Sequence, residues 1–389
     1  MLGSDAIDIT VITSGKSLFI DEVKKKIQDL QQMTKEERYN FWVNEAQDTD
    51  PAGIIPKKLF FGKDIVYSKK NMKINKNIEF DISHSIGGLS NVWGANVTDI
   101  SKNDKSKFND GLADLEKYLI KVTEKFKIAG EYDDIDDGKN TLKYYSKKLN
   151  YCCQAHYIYK KYKENSNFFF KKNIRIGLAK LAIKTEGNDN TCENCGMCML
   201  GCHKNSIFNS ENYFNKIKNI NFFDNSIVEN IDEKDNKTFL KITKNNNSTI
   251  EYFDYTFVAS GPINTSKLVL KFLNKYNKKS LIIKDSQKYF FLYYVNKNSK
   301  RNEEITTTGL SQLFLQTEIS KNTFHLQLYH SKILLDLVLK KFKKSKILNL
   351  TKKIINFFIK RIMIGVVYFP SEVSDSIVIN YEKEKNIFS

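Results

Sequence analysis

Four cysteines, Cys192, Cys195, Cys198 and Cys202, form a C-x2-C-x2-C-x3-C run inside TCENCGMCMLGCHKNS. A short loop brings several thiolates around one compact object only if it turns after each of them, and gaps of two residues allow that. Gly196 and Gly201 lie within the run, where backbone freedom eases the turns. The spacing points to an iron-sulfur cluster, with a zinc site and a metal-free cysteine loop as the alternatives. Structural zinc sites usually divide their ligands into two pairs about a dozen or more residues apart, and this run has no such division. In two-cluster ferredoxins the fourth cysteine of a comparable run serves the other cluster and is followed by proline. Here His203 follows, and with a single run Cys202 either closes a 4Fe-4S cluster or leaves a 3Fe-4S one. Cys152 and Cys153 are the remaining thiols; adjacent cysteines in a helical stretch read as small buried residues.

At 389 residues with 41% hydrophobic content, the chain can bury a core and has room for two domains. Its formal charge of +17 raises nucleic acid or an anionic membrane as partners. The lysines, however, are scattered among Asn, Ile and Phe along the whole length, and no basic stripe interleaved with aromatics stands out, so nucleic acid is set aside. Six cysteines, four of them in one metal-type group, argue against a disulfide framework and for a reducing, cytoplasmic compartment. MLGSDAIDITVITSG lacks the charged and apolar regions of an export signal, and no apolar run has the length of a membrane span.

Along the chain, Asp8 to Ser14 suits a buried parallel strand, followed by a helix from about Asp21 to Gln32. Residues 34 to 50 have helical character with Trp42 on one face, and KKLFFGKDIVY reads as a strand. Ser83 to Asn96 (SHSIGGLSNVWGAN) is a glycine-punctuated loop. Phe108, Leu112, Leu115, Leu119 and Val122 recur at helical spacing between Lys105 and Lys127, and 130 to 140 is an acidic loop. Asn219 to Asn230 and Thr238 to Thr243 read as strands. Tyr255 to Ser260 (YTFVAS) reads as a buried strand that enters a helix over Ile263 to Leu273 through Gly261. From 281 to 329 the alternation is that of strands, through FFLYYV, LSQLFLQTEI and FHLQLYH. Residues 331 to 364 form a basic amphipathic stretch, read first as core-facing and second as a peripheral membrane contact.

Taken in order, GGLSNVWGA, the CxxCGxCxxGC segment and YTFVASGPINTSKLVL resemble the glucose-methanol-choline (GMC) type of FAD-dependent oxidoreductase, in particular a bacterial branch carrying such a cysteine loop. The resemblance spans Asp8 to about Ile379. It implies an α/β (α+β overall) fold: an incomplete Rossmann-like FAD-binding domain with an antiparallel-sheet substrate domain. The corresponding segments are 1–110 (first FAD-binding part), 111–185 (helical cap insertion), 186–275 (cysteine loop and second FAD-binding part) and 276–389 (substrate sheet). It further implies that Gly87, Gly88, Ser90, Asn91, Trp93 and Gly94 line the cofactor, because glycines let backbone N-H groups approach a pyrophosphate or ring system. Ala259 and Gly261 resemble a second cofactor-side turn, and Val228 resembles the position whose backbone meets adenine. An ordinary glycine-rich turn with a buried tryptophan is the plain reading of the first loop.

The chain departs from the family at both ends. The G-x-G-x-x-G turn that holds pyrophosphate on a helix N-terminus is missing, and Thr13 stands where an acidic residue should bind ribose. No histidine matches the family's C-terminal catalytic motif, so no catalytic residue is assigned; His325 and His330 read as structural or surface residues. The activity implied is hydride transfer from an alcohol or sugar hydroxyl to flavin, with electrons passed to the iron-sulfur cluster and on to an electron-acceptor protein. FAD binding is expected to be weak. The alternatives are an iron-sulfur electron-transfer or redox protein, and a non-catalytic remnant without flavin.

Overall fold

The computed structural model describes residues 7–18, 20–45, 82–101, 104, 112–136, 142, 145–214, 216–297, 309–331, 357–358, 360–384 and 387–388. The KKLFFGKDIVY segment, Phe108 and most of the 331 to 364 stretch lie outside them, as does the side chain of Trp42.

Strand β1 (Ile9–Ile12) is followed by helices α1 (Asp21–Gln32) and α2 (Lys35–Glu45). A capping box sets the start of α2. Thr34 Oγ1 accepts from Glu37 N at 3.2 Å, while Glu37 Oε2 accepts from Thr34 N at 2.7 Å, so two otherwise orphaned N-H groups are paired. The GGLSNVWGA segment is a loop with one 3-10 turn at Gly88–Asn91. Helix α3 (Leu112–Phe126) leads to β2 (Ile128–Ala129) and β3 (Tyr145–Ser146), then to α4 (Cys153–Glu164) and α5 (Ser166–Lys171). Strands β4 (Ile174–Leu178) and β5 (Leu181–Ala182) come next. The cysteine loop follows, then α6 (Ser210–Phe214) and β6 (Ile220–Phe223).

Strands β7 (Ser226–Lys234), β8 (Lys237–Lys244) and β9 (Asn247–Phe253) form a three-stranded meander. Asp235–Asn236 and Asn245–Asn246 close its hairpins with positive φ at both central residues, as two-residue turns that follow the strand twist require. After α7 (Pro262–Leu273) come β10 (Ser280–Lys284), β11 (Lys288–Tyr294), β12 (Ser311–Ile319), β13 (Asn322–His330), β14 (Ile362–Tyr368), β15 (Ser376–Glu382) and β16 (Ile387–Phe388).

The architecture is mixed α and β. The largest sheet is antiparallel, in the order β11-β14-β13-β12-β4. One face carries Leu313, Leu328 and Met363 into a core shared with Ala179, Leu181, Ile183 and Ala155. Parallel pairing among the described residues joins β1 with β6 and β2 with β3, with one isolated parallel bridge between Lys16 and Ser85.

Three expectations need correction. Tyr255 to Ser260 is not a buried strand: it has no sheet partner among the described residues, and Tyr255 and Phe257 are 86% and 93% exposed. Its apolar pattern is that of a strand, but hydrogen bonds from neighbours, and not the pattern, make a strand. Asn219 to Asn230 is two strands, because Asn225 takes a left-handed turn (φ 47°) between β6 and β7. The end of the 331 to 364 stretch does not continue the amphipathic region but starts β14, paired on both sides in the large sheet.

Candidate functional site

The cysteine loop is a closed excursion from a paired stem. Ile183 and Ile207 form a bridge, Lys184 N donates to Ser206 O at 2.9 Å, and Phe208 N donates to Ala182 O at 3.0 Å. Inside the stem, Cys192 N donates to Lys184 O at 2.9 Å. Asn194, Gly196, Gly201 and Asn205 all have positive φ, so a left-handed turn accompanies the cysteines along the loop. Glycine and asparagine are the residues that accept that conformation most readily.

All four cysteines line one cavity, together with Ile183, Met197, His203 and Ile207. None is in a disulfide. Backbone N-H groups point at the sulfurs: Ser206 N lies 3.2 Å from Cys202 Sγ, and the N-H groups of Asn194 and Met197 bond Cys192 and Cys195. Cys192, Cys198 and Cys202 pack against the main core, while Cys195 joins Met197, Met199, Leu200, Tyr39 and Phe41 under α2. The setting is dry. Burial pushes the Cys192 thiol up to about 11, assisted by Cys202 and Cys195 beside it, and raises Cys195 as well. Thiols in such a place lose their protons when a metal takes them as ligands.

Among the described residues, no three His, Cys, Asp or Glu side chains are arranged to hold a single metal ion. Tetrahedral zinc, with Zn–S near 2.3 Å, draws its sulfurs to within about 4 Å of one another. A polynuclear cluster keeps its thiolates farther apart, each on its own iron. Four thiols around one cavity, three of them receiving a backbone N-H, are a donor set of the chemistry that a polynuclear cluster takes.

The residues assigned to FAD fall into two places. Gly87 to Gly94 lies against the cysteine-loop stem and α6. Its polar groups bond the chain itself: Ser90 Oγ donates to Gly87 O at 2.6 Å and accepts from Ser210 N at 3.0 Å. Asn91 Nδ2 donates to Ser85 Oγ and Ile86 O, and Trp93 Nε1 donates to Phe208 O at 2.7 Å. A Cβ on Gly87 would lie 2.8 Å from Glu211 N, so what approaches that glycine is α6. Gly94 is crowded by the Asn96 side chain. Val228 sits at a bulge in β7, the strand against which α7 packs, and Ala259 and Gly261 precede α7. Only Gly88 and Gly261 leave open space where a side chain would stand. The residues present do not by themselves build a dinucleotide cradle.

Three site residues escaped the sequence reading. Arg38 on α2 is buried with its Nη1 2.8 Å from His203 Nε2, and Glu211 is buried with its carboxylate accepting from Ser17 Oγ and Leu18 N at 2.5 and 2.9 Å. Lys180 is buried between Asp133 and Asp136. The Thr34-x-x-Glu37 capping signature was the one available signal for Arg38, since it fixes the helix turn that carries it.

No protein-family model matches the chain, and no curated protein matches it. Among the described residues no helix is long and apolar enough to cross a membrane.

Proposed function

We propose that the chain is an iron-sulfur redox protein, with the cluster bound by Cys192, Cys195, Cys198 and Cys202. The observation that carries this reading is the lining of one cavity by all four thiols, none of them in a disulfide. When bound, a cluster supplies one-electron transfer between a donor and an acceptor. The chain's own part is to hold the thiolates, to donate N-H groups from Asn194, Met197 and Ser206 to their sulfurs, and to exclude water with Met197, Ile183 and Ile207. Such N-H donors stabilise negative charge on sulfur and so favour the reduced state. Six cysteines, none in a disulfide, suit a reducing compartment, and a cytoplasmic site of action belongs to the same proposal.

A second reading is a GMC-type alcohol or sugar dehydrogenase, in which FAD takes hydride and the cluster relays electrons to an acceptor protein. The open backbone at Gly88 and Gly261 favours it, and the inward-turned polar groups of the same loop weigh against it. Anaerobic reconstitution with iron and sulfide separates the readings. The first expects iron and acid-labile sulfide to be retained after desalting, with a broad visible shoulder and no flavin uptake. Cys195→Ser should abolish the iron; full iron in that variant, or a colourless wild-type protein, defeats the assignment. Stoichiometric FAD uptake would raise the second reading over the first.

A further inference from the structure

A chain of contacts runs from helix α2 to one sulfur of the cysteine loop. The capping box at Thr34 and Glu37 fixes the first turn of α2, and Arg38 N closes on Thr34 O at 3.0 Å. Arg38 therefore leaves the helix at a set angle. Its side chain reaches His203, which is 3% exposed, and Nη1 stands 2.8 Å from Nε2. A guanidinium donates and cannot accept, so Nε2 must be the unprotonated nitrogen and the ring proton sits on Nδ1. Nδ1 faces Cys195 Sγ at 4.0 Å. Gln31 Nε2 holds the backbone of the same histidine through His203 O at 3.4 Å.

Two further charged groups stand beside this arrangement. Glu193 lies 3.7 Å from His203 Nε2, but its other oxygen is engaged by Lys204 at 2.8 Å. Arg38 is buried, so its charge is little screened by solvent where it meets His203.

We propose that Arg38 is a positioning residue for the cluster: through His203 it fixes an N-H donor on the sulfur of Cys195, and its charge favours the reduced form. The proposal rests on the assignment of the cysteine loop to an iron-sulfur cluster. In the redox step one electron enters from a reductant, here dithionite, and leaves to an oxidised acceptor dye; no bond to the protein forms or breaks and no proton is transferred. Added negative charge is opposed less when a cation and an N-H donor face the sulfur, so the midpoint potential is higher with Arg38 than without it.

The test is a dye-mediated titration of the full chain reconstituted with iron and sulfide, in wild type, Arg38→Met and Arg38→Lys. Iron per chain should be the same in all three. The midpoint potential should shift negative in R38M and return most of the way in R38K, where charge persists. An R38M protein with full iron and an unshifted potential overturns the proposal. If wild type takes up no iron, the cluster assignment itself fails, and the proposal with it. If R38M does not fold, the nitrogen chemical shifts of His203 in the wild-type protein decide the matter. A ring protonated at Nδ1 supports the arrangement and one protonated at Nε2 sinks it.

Discussion

Lys180 Nζ meets Asp133 Oδ1 at 2.8 Å with both side chains only 1% exposed, and Asp136 Oδ2 closes the other side of the ammonium at 3.2 Å. Asp133 also accepts from the N-H groups of Ile135 and Leu178, and Tyr145 OH donates to Asp136 at 2.7 Å. The acidic loop after α3 is thereby locked to the end of β4.

Removing the ammonium should cost more than the pair contributes, because two buried carboxylates would remain with no counter-charge. Burial pushes the Asp133 carboxyl up, and Lys180 pulls it in the opposite sense. In Lys180→Met the upward push is opposed only by the N-H groups of Ile135 and Leu178. A carboxyl whose folded pKa lies above the unfolded one loses stability as pH rises through it. The variant should be destabilised by about 3 to 5 kcal/mol at neutral pH, with a deficit that shrinks on acidification toward about pH 4. Thermal melts across that range check it, and a deficit independent of pH would count against the account.

Gly365 of β14 stands opposite Phe291 of β11, and a Cβ there would overlap the aromatic ring. The ring lies across the glycine, which has no side chain of its own to cover the sheet. Gly365→Ala should therefore lower stability by about 1 to 3 kcal/mol, the usual cost of overpacking. Phe291→Leu in the same chain should recover part of that loss. Additive losses in the double variant, measured by urea unfolding, would show that the two positions do not share the space.

Both ring nitrogens of His325 are buried with no hydrogen-bond partner among the described residues, and burial, with Lys180 adding to it, lowers its pKa to about 4. Its unfolded value is near 6.5. Between these values the unfolded chain binds the extra proton, so stability falls as pH drops from about 6.5 toward 4 and is unaffected by this group at higher pH. The contribution is about 3 kcal/mol at most. In His325→Phe this part of the pH dependence should vanish while stability at pH 8 changes little in comparison. An identical acid limb in wild type and variant would refute the assignment.

Single serine replacements distinguish the roles of the four thiols. Cys192→Ser, Cys195→Ser and Cys198→Ser should each lose bound iron. Cys202→Ser should keep a three-iron form if Cys202 closes a four-iron cluster, giving about three-quarters of the wild-type iron and a changed electron paramagnetic resonance spectrum. Full iron in all four variants would end the cluster assignment.

Elements that carry a local signal were legible in the residues. Asp21–Gln32 reads as a helix from its composition and forms one with the same bounds, and FFLYYV, LSQLFLQTEI and FHLQLYH all lie in strands. The YTFVAS segment shows where such reading stops. Its side chains favour a strand, yet with no neighbour to bond its backbone it stays irregular and exposed. The GGLSNVWGA loop was read from its glycines, but which way its amides and hydroxyls turn depends on Phe208 and Ser210, more than a hundred residues on.

The residue order alone determined that four sulfurs sit on one short loop, because covalent spacing permits little else. It could not determine that Arg38 would meet His203 across 165 positions, or that Lys180 would be sealed between Asp133 and Asp136. Those pairings follow from packing. The loop packs partly against the core that the large sheet shares and partly against residues of α2, and burial strengthens polar pairings that water would otherwise compete for.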